Sequence, residues 1–241
     1  MWVICKKEWN QFFNSITGYL SIAVFLFVLG LILFVFPNTS ILDFGYASLN
    51  YFFDITPWIL MFLIPVITMK SFSEEFKTGT FEILKTLPIK TSHLVLGKIL
   101  GSFLIVLMAL LPTITYYFSI QSLSETAGID VGAYMGSFVG LLFLSATFVS
   151  ISVFASSLTN NMVVAFLVAT LFLLVIFFGF EVIGNYIFNN SSYSYYVEML
   201  GMKSHYKSLS RGVIDTRDIG YFLSIIILFL FITEQRIKKY I

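Results

Sequence analysis

Long apolar runs broken by short polar clusters dominate the chain. A helix needs about 20 apolar residues to cross roughly 30 Å of hydrocarbon at about 1.5 Å per residue. Six stretches reach or approach that length: 17–36, 52–69, 99–120, 131–157, 162–184 and 219–233. The last is short, so it is expected to start a little earlier or to let Arg236 snorkel from its end. Ahead of the first run, Trp2, Cys5, Trp9 and Phe12 recur at helical spacing, with Lys6, Lys7, Asn10 and Asn14 between them. Residues 2–14 therefore read as a short helix lying in the membrane interface, or as a ragged start to the first span. The run after Lys6 and Lys7 is too long for a signal-peptide core and has no small-residue cleavage site, so it is expected to stay as an anchor. The pattern gives one all-α integral membrane domain over 1–241 with six transmembrane helices.

The polar clusters set the orientation. Ten of the fourteen Lys and Arg residues lie before the first span (Lys6, Lys7), in the second loop (Lys70, Lys77, Lys85, Lys90, Lys98) or after the last span (Arg236, Lys238, Lys239). With six spans these regions share one side, which the positive-inside rule makes cytoplasmic. The first loop, around Asp43, and the third, around Glu125 and Asp130, carry no Lys or Arg and fall outside. Lys203, Lys207, Arg211 and Arg217 run against the rule, because they lie in the long loop 185–218 that parity also places outside. Tyr186, Phe188, Tyr193, Tyr195 and Tyr196 crowd the start of that loop, as side chains at a headgroup boundary do. Short helices dipping into the outer leaflet are expected there.

Composition excludes a soluble protein. The chain is 58% hydrophobic and 11% charged, with 28 Phe residues, and its mean hydropathy is +0.92, whereas soluble domains carry about 25% charged residues. A net charge of +1 leaves no basic patch for nucleic acid. One cysteine, Cys5, can form neither an internal disulfide nor a cysteine metal cage. Gly97-Lys98 is not a phosphate loop, since Ile99 follows and Ser92 stands where the first glycine should be. His93 and His205 fit no metal-ligand spacing, and no GxSxG elbow occurs. Neither enzyme chemistry nor a cofactor is expected.

Charge inside a span is costly and marks a candidate functional position. Asp54 precedes Thr56-Pro57, where it is expected to cap a helix start, or else to serve a function within the membrane. Glu181, near the outer end of the fifth span, could reach water, line a substrate path or pair with a loop residue. Gly132, Gly136 and Gly140 form a GxxxGxxxG strip that lets another helix come close, from this chain or from a second copy.

The most informative polar stretch is KSFSEEFKTGTFEILKTLPIK, residues 70–90. Ser71 followed by Glu74 reads as a capping box opening a short helix with Phe72 and Phe76 on one face. Gly79 can end it in the left-handed conformation. A second short helix over about 80–86 carries Phe81, Leu84 and Leu87, and Pro88 breaks it. Two such stubs with exposed Phe and Leu are too short to be stable alone. They would dock on a protein partner or lie as a hairpin on the membrane surface.

The pattern E-x-x-x-G-T-x-E-x-L-x-T-x-P-I, from Glu75 through Gly79, Thr80, Glu82, Leu84, Thr86 and Pro88 to Ile89, resembles the signature of type-2 ABC exporter permeases. Lys98, taken to open the third span, and the segment Ser208-Leu-Ser-Arg-Gly-Val-Ile-Asp-Thr-Arg-Asp before the last span are similar to the same family. The likeness runs over nearly the whole chain and is greatest to permease subunits of bacterial gliding-motility ABC transporters, with copper-enzyme maturation permeases near by. The resemblance implies a bacterial inner-membrane protein with both termini cytoplasmic, whose loop 70–98, with Glu74 and Glu75, couples to a separate cytoplasmic ATPase. It also implies a second permease copy or homologous permease, and an auxiliary membrane subunit with a large external domain. The rival readings are an ion-coupled secondary transporter, and a non-transporting anchor or assembly subunit.

Overall fold

The computed structural model describes residues 1–37, 39–44, 47–86, 90–124, 128–187 and 192–239. Their order is α1 (Trp2–Phe13), α2 (Ile16–Phe34), α3 (Asn50–Thr68), α4 (Ser73–Thr78), α5 (Thr80–Thr86), α6 (Thr91–Leu110), α7 (Ile114–Leu123), α8 (Val131–Ser156), α9 (Met162–Ile187), α10 (Ser192–Glu198), α11 (Met202–Leu209) and α12 (Thr216–Lys238). No strand occurs among the described residues. Six helical stretches are long and apolar enough to cross a membrane, headed by α2, α3, α6, α8, α9 and α12. One departure from the hydropathy pattern matters: the third span starts at Thr91, so Lys98 lies two turns inside a helix rather than at its mouth. The sixth starts a little before its apolar run, as expected, at Thr216, where the Asp215 side chain accepts from the Arg217 backbone N–H at 2.8 Å. Asp130 does the same for α8, accepting from Gly132 and Ala133; such caps contribute about 1 kcal/mol each.

The chain crosses back and forth, which gives the bundle two ends. The basic end carries α1, α4, α5, the turn 157–161 and the end of α12; the far end carries α7, α10 and α11. The three inner helices are α3, α6 and α8, whose most apolar windows are 61%, 61% and 67% buried, against 22%, 28% and 17% for α2, α9 and α12. The latter three show apolar faces outward, as lipid-facing helices do. Small and hydroxylated side chains put α8 at the centre. Ser145, Thr147 and Ser150 donate to the carbonyls of Leu141, Phe143 and Ala146 in their own helix, which lets these polar groups be buried without outside partners. At its ends α8 does bond outward. The Phe72 N–H donates to Ser156 Oγ at 3.4 Å at the basic end. Ser137 Oγ donates to the Ser210 carbonyl at 2.9 Å at the far end.

Of the face read from the aromatic spacing of α1, Cys5 is buried and Trp9 and Phe12 pack on the core, and only Trp2 turns away. Ile4, Cys5 and Glu8 are the buried positions, turned toward α6, while Trp2 and Val3 are exposed. Close approach of α1 is possible because α6 offers Gly97 and Gly101 there. A Cβ at Gly97 would stand 2.9 Å from Ile4 Cβ and the Met1 carbonyl, and one at Gly101 would stand 2.9 Å from Glu8 Cβ.

Candidate coupling site

The basic end holds most of the residues singled out in the sequence. Ser71 is not a helix cap: α4 begins at Ser73 after Phe72, with no side-chain cap, and the Ser73 hydroxyl donates back to the Met69 carbonyl. The loop is thus an extension of α3 after a short turn, and it needs no capping box. Gly79 closes α4 at φ 71°, a left-handed position that glycine takes without steric cost. The apolar face of the two stubs points inward, contrary to the expectation of exposed Phe and Leu. Phe72 and Phe81 are buried, Phe76 stacks on Phe72 and meets Phe81 edge-to-face with ring centroids 6.1 and 4.8 Å away, and half-buried Leu84 packs on the core. What faces outward is Lys77, Thr78, Gly79, Thr80, Glu82, Thr86 and one large apolar side chain, Ile83, which is 64% exposed. Beside this ridge lies an open concavity of about 530 Å³ lined by Lys77 and Leu158, Thr159, Asn160 and Asn161. Pro88, with Leu87 and Ile89, lies outside the described residues.

Under the ridge is a buried ionic cluster. Lys98, 1% exposed, sends its ammonium to Glu8 Oε1 at 2.7 Å, Glu75 Oε1 at 2.9 Å and the Ser71 carbonyl at 2.5 Å. It also stands 4.8 Å above the Phe72 ring centroid. Lys7 reaches the same Glu75 oxygen at 2.6 Å, and Gln11 donates to Glu74 Oε2 at 2.9 Å. Glu75 therefore points into the protein, whereas Glu74 binds α1 at the surface. The pattern of residue types had left Glu8 and the Gly97/Gly101 pair unremarked. Their signal was present: Ile4, Cys5 and Glu8 share a helical face, and Gly97 and Gly101 are a GxxxG around a lysine in an apolar run.

At the far end, Asp54 is the fifth residue of α3 rather than its cap; Leu49 precedes the helix and supplies no side-chain bond. Exposed Asp54 feels the charges of Arg211, Lys207 and Lys203. Glu181 binds Lys203 at 2.6 Å, both side chains being 38% exposed, so the pair contributes under about 1 kcal/mol. Carboxylates at the span ends thus face three of the four cations that break the positive-inside pattern. His205 meets Asp218 at 2.7 Å and the Met199 carbonyl at 2.8 Å, which ties α11 to α12 and to the end of α10. Tyr206, buried, donates to the Phe53 carbonyl at 2.7 Å, and burial next to Asp54 pushes its phenol well above the ordinary range. Of the three ridge glycines, Gly136 and Gly140 face the α11 segment: a Cβ would stand 2.5 Å from the Gly212 carbonyl oxygen and 2.5 Å from Leu209 Cβ respectively. Gly132 faces only the Asp130 carboxylate, at 3.3 Å.

Six long apolar helices thus pack together, and the segment joining the second span to the third folds as two short helices. The family model described as "ABC-2 family transporter protein" matches residues 2–233. The chain belongs to the ABC-2 transporter family. No curated protein matches it. As an ABC-2 family member it is a multi-pass membrane subunit of an ABC transporter and is not itself catalytic, and membership implies a partner ATPase subunit.

Proposed function

We propose that the chain is one half of an ABC transporter: a six-span permease that pairs with a second copy or a homologous permease and is driven by a separate cytoplasmic ATPase. The observation that carries this is the outward ridge 77–86, with Ile83 exposed at its crest beside the concavity walled by 158–161. A single apolar side chain on a polar ridge suits insertion into a pocket on a partner, where such anchors dominate binding. ATP binding would close the ATPase pair, move the docked ridge and shift the spans between inward- and outward-facing states. Glu82 and Thr80 flank Ile83 and would set the orientation of docking.

Two substitutions test this. Ile83→Asp is expected to lower ATPase co-purification from mild detergent about tenfold or more, a loss of about 1.4 kcal/mol or greater. Gly79→Val forces a β-branched residue into the left-handed region at a cost of roughly 1–2 kcal/mol and re-aims α5. Nothing lies within 4 Å of a Cβ at Gly79, so the effect comes from the backbone and not from a clash. Leu84→Asp, by contrast, should harm the hairpin itself, because Leu84 packs inward. Wild-type ATPase recovery with both Ile83→Asp and Gly79→Val would remove the ridge as the docking element.

Sidedness belongs to the same proposal, with the basic end in the cytoplasm of a bacterial inner membrane and both termini inside. In a Cys5→Ser background, Ser48→Cys and Ser124→Cys should react with an impermeant thiol reagent outside intact cells, and Thr78→Cys should not. Labelling at Thr78 would invert the orientation. A finer proposal rests on the gliding-motility resemblance: the complex serves motility and includes an auxiliary subunit with a large external domain. Loss of gliding without loss of growth on deleting the gene is its expected result; normal gliding would discard it.

A further inference from the structure

We propose, resting on the permease reading above, that Lys98 is a positioning residue for energy coupling. It fastens α1, α4 and α6 into one body, so that a displacement of the ridge reaches the third span and the N-terminal helix together. Covalently, α4 joins α3 through the turn 69–72, and it reaches α6 only by way of α5 and the stretch 87–90. The Lys98 ammonium links 71–78 to α6 by holding both Glu75 and the Ser71 carbonyl. The same ammonium holds Glu8 of α1, and α1 is separately bound to α4 through Lys7–Glu75 and Gln11–Glu74. Three helices thus meet on one cation that is 1% exposed. The backbone of α1 is pressed on α6 at Gly97 and Gly101, on either side of Lys98.

This gives Glu75 a part different from that of its neighbours. It opens the ExxxGT stretch, yet its side chain is 6% exposed and lies on Lys98 and Lys7. It faces the protein interior while Thr80, Glu82 and Ile83 face outward. The short signature therefore has an outward half that meets the partner and an inward half that carries the movement away. A buried charge pair is not needed for stability, since apolar side chains of similar volume can replace it. Its directional, short contacts suit a rigid connection.

The test uses the full chain co-purified with its ATPase and placed in lipid nanodiscs, in a Cys5→Ser background. Ser48→Cys, at the far end, reports ATP-driven movement by its rate of reaction with a maleimide, with ATP and vanadate as the probe. The charge-balanced double variant Glu8→Met/Lys98→Met should fold, retain the ATPase and hydrolyse ATP, while the labelling response to ATP is lost. A merely structural role would leave that response intact, and an intact response in the double variant overturns the proposal. A second arm does not depend on that variant folding. Gln11→Cys/Glu74→Cys, joined by a short bifunctional thiol reagent, ties α1 to α4. The response should survive the tie, because the two move together; a tie that abolishes it shows that they slide past each other and overturns the proposal. A wild-type chain that binds no ATPase would instead overturn the permease reading on which the proposal rests.

Discussion

Gly136→Leu is expected to abolish accumulation of folded protein. A Cβ at that position would stand 2.5 Å from the Gly212 carbonyl oxygen and 2.9 Å from its carbonyl carbon and Cα. These are backbone atoms and cannot rotate away. Gly212 is itself fixed at φ 82°, and a Cβ there would come 2.4 Å from Ala133 Cα, so the two backbones touch at both residues. The segment cannot retreat cheaply, because Ser137 holds the Ser210 carbonyl and Tyr206 holds that of Phe53. Overpacking alone costs about 1–3 kcal/mol, and the branched side chain adds to that the loss of these bonds. Gly132→Leu is the control, since its Cβ would meet only a carboxylate oxygen at 3.3 Å. Detergent-extracted yield and thermal unfolding of the two variants decide the matter. A Gly136→Leu protein that melts with the wild type would mean that α11 does not rest on α8.

Lys98→Met alone should be nearly as damaging. It leaves Glu8 and Glu75 facing each other in the interior with only half-exposed Lys7 near Glu75. Breaking a buried pair by removing one partner costs about 3–5 kcal/mol, because the remaining charge stays desolvated. Removing Glu8 at the same time restores the balance, with Glu75 and Lys7 still paired. Yield of Glu8→Met/Lys98→Met should therefore recover toward wild type, and the double-mutant cycle gives the coupling directly. If the single variant is as stable as the double, the carboxylates are not confined as described.

How much of this was legible beforehand depended on whether a residue's role is local. The six spans followed from hydropathy, which is an average over many residues and forgiving of detail. The left-handed turn at Gly79 was legible because it is set by one residue's backbone. The direction of the coupling stubs was not. Phe72, Phe76, Phe81 and Leu84 look the same to a pattern whether they enter a partner or their own protein, and only what the fold sets behind them decides. Asp54 failed in a similar way: Thr56-Pro57 is a good helix start, but α3 had already begun at Asn50. Lys98 was read as a cation at the mouth of the third span, and its burial was missed because its partners, Glu8 and Glu75, lie 90 and 23 positions away in the chain. Charge pairing at that separation has no periodic trace.

The hydroxyls of α8 have a mechanical consequence. Along the middle of this helix Ser145, Thr147 and Ser150 are spent on its own carbonyls and Ser152 Oγ has no partner, so no side-chain hydroxyl there ties it to a neighbour and dispersion, which varies smoothly as surfaces slide, holds it. Its directional attachments sit at Ser156, beneath Phe72, and at Ser137, beneath Ser210. Nineteen residues of α-helix separate them, about 28 Å at 1.5 Å per residue. The helix is therefore a pushrod, gripped at both tips and greased along its shaft. A thrust at Phe72 arrives at the Ser210 turn without any hydrogen bond in the middle of the membrane having to break.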